Sequence, residues 1–288
     1  MSTPPPATAR QVAAAGALAP HAAGAGRPLP SLTDEEIIAL VDEDALAGFD
    51  LPWVDGRESR PTGFSRAEAR LSAARSLLAR GVLAPESAVA QAEGRRVEGD
   101  PSAYVPDALL TGILARRVLS PLVVRIEGPL QDRVTIVVMF VDHDGSVLVE
   151  QVSPDGLHHF AMCDREHAAR LLVGRLLPPE VPAVDPASAV GTWDELLADP
   201  QVGPVLEDAR RRSRVQVLDR RDGARDRLLV LAGPRGLALV EGDEERSDPA
   251  SDTPLRAALA DPAGIEDLAA SLVRIDALSP EDRDAAAD

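Results

Sequence analysis

Val134–Met162, VTIVVMFVDHDGSVLVEQVSPDGLHHFAM, decides the fold. It reads as three antiparallel strands joined by two tight turns, Asp144-Gly145 and Asp155-Gly156. Gly reaches positive φ at no steric cost and Asp tolerates it. In Val134–Val141 both alternating faces are apolar, with Val134, Ile136, Val138 and Phe140 on one and Val137, Met139 and Val141 on the other. A strand covered on both faces belongs in the middle of a sheet. The neighbouring strand Val147–Val152 carries Glu150 and Gln151 and should be less buried.

Downstream the pattern recurs in shorter form. Arg214–Leu218, Leu228–Ala232 and Leu237–Glu241 read as strands around Asp222-Gly223 and Pro234-Arg235-Gly236. The expected fold class is therefore α+β, a central antiparallel sheet built from two pseudo-repeated helix–meander–helix units and flanked by helical bundles. Residues 32–178 form the first unit and residues 188–275 the second, which shares the sheet. Residues 1–31 are Pro/Ala/Gly-rich, with too little large apolar surface to offset ordering entropy, and read as a disordered leader. Residues 276–288 read as a flexible acidic tail. Leu177–Pro186 holds four prolines and reads as the linker between units.

Helix starts are marked by three capping boxes, Thr33–Glu36, Ser65–Glu68 and Thr192–Glu195. The first predicts a helix to about Leu46. The second opens a helix with Leu71, Ala74, Leu77 and Leu78 inward, ending at Gly81. Phe49–Gly63, with two prolines and Trp53, reads as a loop. Further helices are predicted over Asp107–Leu119, from Asp164 to Leu177, over Pro204–Arg212, and at Leu255–Leu259 and Ile265–Ile275. Glu241–Thr253 is charged and loop-like.

The chain has 288 residues, enough for one large or two modest cores. Aromatics are only 2 %, so the core must be mostly Leu, Val, Ile and Ala. All 30 basic residues are Arg, which with the abundant Ala, Pro and Gly suits a high-GC bacterial genome. A formal net charge of −17 favours solubility and repels nucleic acid and anionic membranes overall. The single cysteine, Cys163, excludes an internal disulfide. No signal-peptide h-region and no spanning run is visible, so a cytoplasmic location and no membrane insertion are expected.

His158, His159, Cys163 and His167 come nearest to a metal constellation. Cys163 and His167 are four apart and could share a helix face, but His158 and His159 point to opposite faces of a strand. The set is incomplete, and a surface histidine, a buried thiol and a helix-start histidine account for it. Asp142-His143-Asp144-Gly145 lacks the further ligands of a calcium loop and reads as a hairpin turn. No G-x-G-x-x-G, P-loop or G-x-S-x-G pattern is present. No catalytic, cofactor-binding or metal-ligating residue is assigned, no cofactor is expected, and the chain does not read as an enzyme. The local charge reverses only in Arg210–Arg227, where eight arginines face Asp219, Asp222 and Asp226. Helix followed by hairpin there invites a winged-helix, DNA-binding reading, but no aromatic is present for base stacking, and a protein contact is the favoured role.

RAEARLSAARSLLARGVLAP (Arg66–Pro85), followed after an acidic stretch by ALLTGILARRVLSPLVVRIEG (Ala108–Gly128), resembles the EspG-type secretion-associated proteins of actinobacterial type VII (ESX) systems. The shared traits are an amphipathic helix ending in Arg80-Gly81-Val82, then a second helix leading into the first strand of an antiparallel sheet. The resemblance covers about residues 32–275. It implies a cytosolic, non-enzymatic chaperone or adaptor that binds helical export substrates, which in mycobacterial members are PE–PPE pairs. It brings no catalytic motif and leaves the partner-binding residues unassigned.

Overall fold

The computed structural model describes residues 8–23, 27–41, 46, 48–59, 63–97, 99–130, 133–221, 223, 225–242 and 254–275. The acidic tail 276–288 and most of Glu241–Thr253 lie outside the described residues. The described helices are α1 (Ala9–Ala17), α2 (Asp34–Leu40), α3 (Pro52–Glu58), α4 (Arg66–Ala79), α5 (Glu86–Glu93), α6 (Ala108–Leu119), α7 (Arg165–Leu176), α8 (Trp193–Ala198), α9 (Gly203–Glu207) and α10 (Pro262–Leu272). The strands are β1 (Arg27–Pro28), β2 (Leu32–Thr33), β3 (Leu83–Pro85), β4 (Tyr104–Pro106), β5 (Leu122–Leu130), β6 (Arg133–Val141), β7 (Ser146–Val152), β8 (Leu157–Asp164), β9 (Ser188–Gly191), β10 (Arg211–Asp219), β11 (Arg225–Gly233), β12 (Gly236–Glu241) and β13 (Leu255–Ala260). The class is α+β with antiparallel pairing. No described helix is long and apolar enough to cross a membrane.

The chain forms two compact units that interleave in sequence. The first takes Met1–His21, Arg27–Leu119 and Glu150–Met162; the second takes Ala22–Gly26, Ser120–Val149 and Cys163–Asp288. Strands β7 and β8 are thus divided between them by chain continuity.

In the first unit, helices surround the outer ends of β7 and β8. Here the sequence expectation of a disordered leader fails, because Ala9–Ala17 is a helix with a complete Thr8–Gln11 capping box. Ala14 and Ala15 are buried, and α1 lies so close to α6 that a Cβ on Gly112 would come 2.5 Å from the Ala14 carbonyl oxygen. Buried Arg116 donates from Nε to the Ala15 carbonyl at 2.8 Å, placing a cation at the C-terminal end of α1. A small-residue helix with little apolar surface of its own is therefore held by close backbone approach and by charged hydrogen bonds, from Arg116 to it and from its own Arg10 to the Pro106 carbonyl. Phe49–Gly63 also departs from the loop expectation. Pro52 begins α3 at a position where its missing N–H costs nothing. In α4 the Ser65 hydroxyl caps Glu68 as expected, but the buried residues are Ala73 and Leu77, while Leu71 faces solvent. The pair β3·β4 and helix α5 had no expectation in the sequence reading.

In the second unit the hydrogen-bonded strand order is β7-β6-β5-β10-β11-β12-β13-β9. Strand β6 lies inside this order, as its two apolar faces predict; Val137, Met139 and Val141 enter one core, and Val138 and Phe140 are buried on the opposite face. That core joins Val124, Ile126, Val215, Val230 and Leu237 to α7 (Ala168, Leu172, Leu176) and α10 (Ile265, Ala269). The other face of β11–β13 is covered by α8 and α9 through Leu196, Val202, Val205 and Leu206 against Leu229, Leu231, Val240 and Ala257. Leu255–Leu259, expected as a helix, is strand β13. Its alanines favour helix in isolation, but Ala257 is buried opposite Val240 of β12, and tertiary pairing overrides propensity. Pro204–Arg212 likewise holds only the short α9 before β10 begins.

Element order repeats along the chain. A short strand leads into a capping-box helix at β2–Thr33–α2 and again at β9–Thr192–α8. Four strands then run into a helix as β5–β8–α7 and again as β10–β13–α10, and β5 pairs antiparallel with β10.

Candidate functional site

Two groups of charged side chains stand out, one in each unit. In the first unit, the Asp155-Gly156 turn returns the chain along β8, with Gly156 at φ +72°. A Cβ there would meet the Trp53 Cβ at 2.5 Å and the Asp34 carboxyl carbon at 2.9 Å, so α2 and α3 close on the turn only because it is Gly. His158 follows and is fully buried, while the surface histidine of the pair is His159. Its Nδ1 lies 2.6 Å from Glu150 Oε1 and its Nε2 lies 2.9 Å from Asp34 Oδ1. Each ring nitrogen thus faces a carboxylate oxygen, an arrangement that favours the doubly protonated ring. Burial opposes that charge, but the bonds to Asp34 and Glu150 outweigh it and raise the imidazole pKa above its ordinary value.

Asp34 Oδ2 also accepts from the backbone N–H groups of Trp53, at 2.8 Å, and Val54, at 3.0 Å, at the start of α3. Arg117 of α6 brings Nε to 2.8 Å from Glu150 Oε2, donates to the Gly48 carbonyl at 3.1 Å and stacks over the Phe49 ring at 3.3 Å. Two acids and two bases therefore close into a neutral set. Glu150 is fully buried within it, so β7 is not the less-buried strand its sequence suggested. The remaining members of the sequence constellation go elsewhere. His159 is exposed and bonds the Ser31 hydroxyl at 2.8 Å. Cys163 is buried in the second unit, its thiol pushed up to about 12 by burial and by Asp164. His167 opens α7, its backbone N–H on the Asp164 side chain. Among the described residues no group of three or more His, Cys, Asp or Glu is placed to hold a metal.

In the second unit, Arg210–Arg227 resolves into β10 and β11. Alternation along RRSRVQVLD sends Ser213, Val215 and Val217 to one face and Arg212, Arg214 and Gln216 to the other. Arg125 of β5 and Arg227 of β11 both lie opposite Gln216, so the three side chains form a row across three strands. Glu127 and Leu229 flank Arg214 in the next row. With Trp193, these residues line a hollow of about 690 Å³. Arg125 lies 3.3 Å from Glu127, and Arg214 lies 3.7 Å from it. Arg212 stands 6.0 Å from the centre of the Trp193 ring. Among the described residues that line the hollow, four are arginines and one is a glutamate.

The other arginines of the segment have local roles. Arg211 donates to the Pro129 carbonyl, Arg220 donates to the Ser120 carbonyl, and Arg221 pairs with Asp219. Desolvation lowers the Arg220 pKa. The basic segment is thus smaller on this face than its sequence count implies, and Arg125 joins it from outside the window. Strands β10 and β11 are also hydrogen-bonded on their far sides to β5 and β12, so this hairpin is not a projecting wing.

No family model matches the chain, and no curated protein matches it.

Proposed function

We propose that the chain is a non-enzymatic, cytosolic chaperone or adaptor that binds small helical export substrates of an actinobacterial type VII secretion system. The observation that carries this reading is the repeated element order. A capping-box helix behind a short strand, then a four-strand run into a helix, occurs twice and pairs through β5 and β10. An internal pseudo-twofold repeat is also a trait of the family that Arg66–Gly128 resembles. Two further observations support a binding role. The most reactive side-chain types near the meander are committed to structure, with His158 held at both nitrogens and Cys163 buried with a raised pKa. The open face of β5, β10 and β11 presents charged groups on interior strands, a rigid base for recognising another chain.

Co-expression with the small helical exported proteins encoded beside the secretion ATPase of the same genome tests the reading. A stoichiometric complex that survives size exclusion is expected. Failure of every such protein to co-elute overturns it. The second reading, a DNA-binding regulator using Arg210–Arg227, is favoured only by the cationic hollow and predicts salt-dependent retention on DNA.

A further inference from the structure

We propose that His158 is a proton-operated latch: its charged ring ties the start of α3 to the β7–β8 hairpin through Asp34, and loss of the ring proton releases it. The latch stands apart from the adaptor reading and does not depend on it. Asp34 is the joint. Its Oδ1 faces His158 Nε2 at 2.9 Å, while its Oδ2 accepts from the Trp53 and Val54 N–H groups at 2.8 and 3.0 Å. Its backbone is fixed separately. The Asp34 N–H donates to the Gly156 carbonyl at 2.9 Å, and Thr33 before it lies opposite Leu157 in the β2–β8 ladder. The main chain of Asp34 is thus held by the sheet, and its side chain carries the tie between the ring and α3.

With the ring charged, Asp34, Glu150, Arg117 and His158 balance. The neutral ring keeps one N–H, and Glu150 Oε1 at 2.6 Å is the closer acceptor for it. The Nε2 lone pair then faces Asp34 Oδ1 with no proton between them, and the buried set holds one excess negative charge, which desolvation makes costly. Arg117 is already engaged, its Nε 2.8 Å from Glu150 Oε2. The surrounding charges give no relief. On α3, partial burial raises the Asp55 carboxyl, Arg66 of α4 lowers it and Asp34 raises it again, with Glu58 and Asp50 adding to the repulsion. Glu36 of α2 pairs with Arg80 of α4, and Arg57 of α3 stacks over the Trp53 ring. Asp155 of the turn is exposed, and exposed His159 bonds Ser31. Solvent is near the joint, since Trp53 is 42 % exposed. The Asp34 carboxylate therefore turns toward water when the ring is neutral, and the first N–H groups of α3 lose their acceptor.

The test is NMR of the full chain across the histidine range, following the His158 ring nitrogens and the amide exchange of Trp53 and Val54. Corrected for intrinsic base catalysis, the opening of these two amides should be constant below about pH 6.5, the ordinary histidine value. Above it, opening should rise by up to about tenfold per pH unit, the limit for one proton released on opening, and level off once the closed ring is neutral. Amides of β10 in the second unit should open far less at every pH. The variant Asp34→Asn separates a latch from a merely structural contact. Its amide oxygen can take the Trp53 and Val54 N–H groups while its NH2 donates to the Nε2 lone pair, so α3 should stay closed and lose its pH dependence. A structural contact would instead give more opening at every pH with the wild-type slope, which overturns the latch. So does a ring already neutral at about pH 6, or an opening of Trp53 and Val54 no larger than that of β10 at every pH. Should Asp34→Asn not fold, the ring and amide titrations of the wild type decide between these outcomes.

Discussion

The buried set of Asp34, Glu150, His158 and Arg117 and the open row of Arg125, Gln216 and Arg227 use similar groups to opposite ends. In the first, every charge faces an opposite charge within 3 Å and all four side chains are buried. In the second, like charges gather on a face where Arg214 retains 47 % side-chain exposure. A buried charge must be matched in place, since its desolvation costs several kcal/mol. An exposed one keeps much of its hydration, so its pairing is worth little to the fold. The difference separates a device that holds the meander from a surface that can recognise something.

The largest effect should come from unbalancing the buried set. Glu150→Ala leaves His158 and Arg117 without their shared acid and should cost about 3–5 kcal/mol, read from the urea midpoint. A loss below about 1 kcal/mol, the range of exposed pairs, would mean the set is not the dry cluster described. Next in size is Gly112→Val. Its side chain would enter the space of the Ala14 carbonyl, and such overpacking costs about 1–3 kcal/mol. Hydrogen exchange should show α1 losing protection while β10 and β11 keep theirs.

The pH dependence has a definite sign. The folded pKa of His158 is raised, so its contribution is complete below the unfolded value of about 6.5 and is lost as pH rises through the folded pKa. Urea midpoints should fall across that window in the wild type. His158→Gln should flatten this component of the curve, and an unchanged slope would show that the imidazole is not protonated in the fold. A smaller effect is expected at the second capping-box helix, where Thr192→Ala removes the acceptor of the Glu195 N–H and should cost about 1 kcal/mol in thermal or urea unfolding.

What the sequence reveals follows the range of the forces involved. The Asp-Gly turns, the two-faced β6 and the Thr33 and Thr192 caps are set by neighbours a few residues away, and all were legible. The α1 helix was not, because its stability comes from Gly112 and Arg116, about a hundred residues downstream in chain order. Strand β13 was misread because Ala-rich LRAALA expresses helix propensity until β12 pairs with it. His158 and Glu150 flank an Asp-Gly hairpin, so their approach could have been inferred from strand pairing. Asp34 could not, being 124 residues away. On β10 the alternation of Arg212, Arg214 and Gln216 with Ser213, Val215 and Val217 already marked one polar face; counting charge over the whole window hid it.

The smallest stability effect should belong to the arginine face. Arg214→Gln removes a half-exposed cation that lies 3.7 Å from Glu127, which is itself 30 % exposed. Solvent screens such a pair, and surface substitutions of this kind usually stay within about 0.5 kcal/mol. The unfolding midpoint should therefore barely move, and added salt should barely change it. A large loss of stability would place Arg214 with the buried set as a structural charge. Stability that holds would instead separate the two kinds of charge by the property that distinguishes them, whether the ion pair is buried or open to solvent.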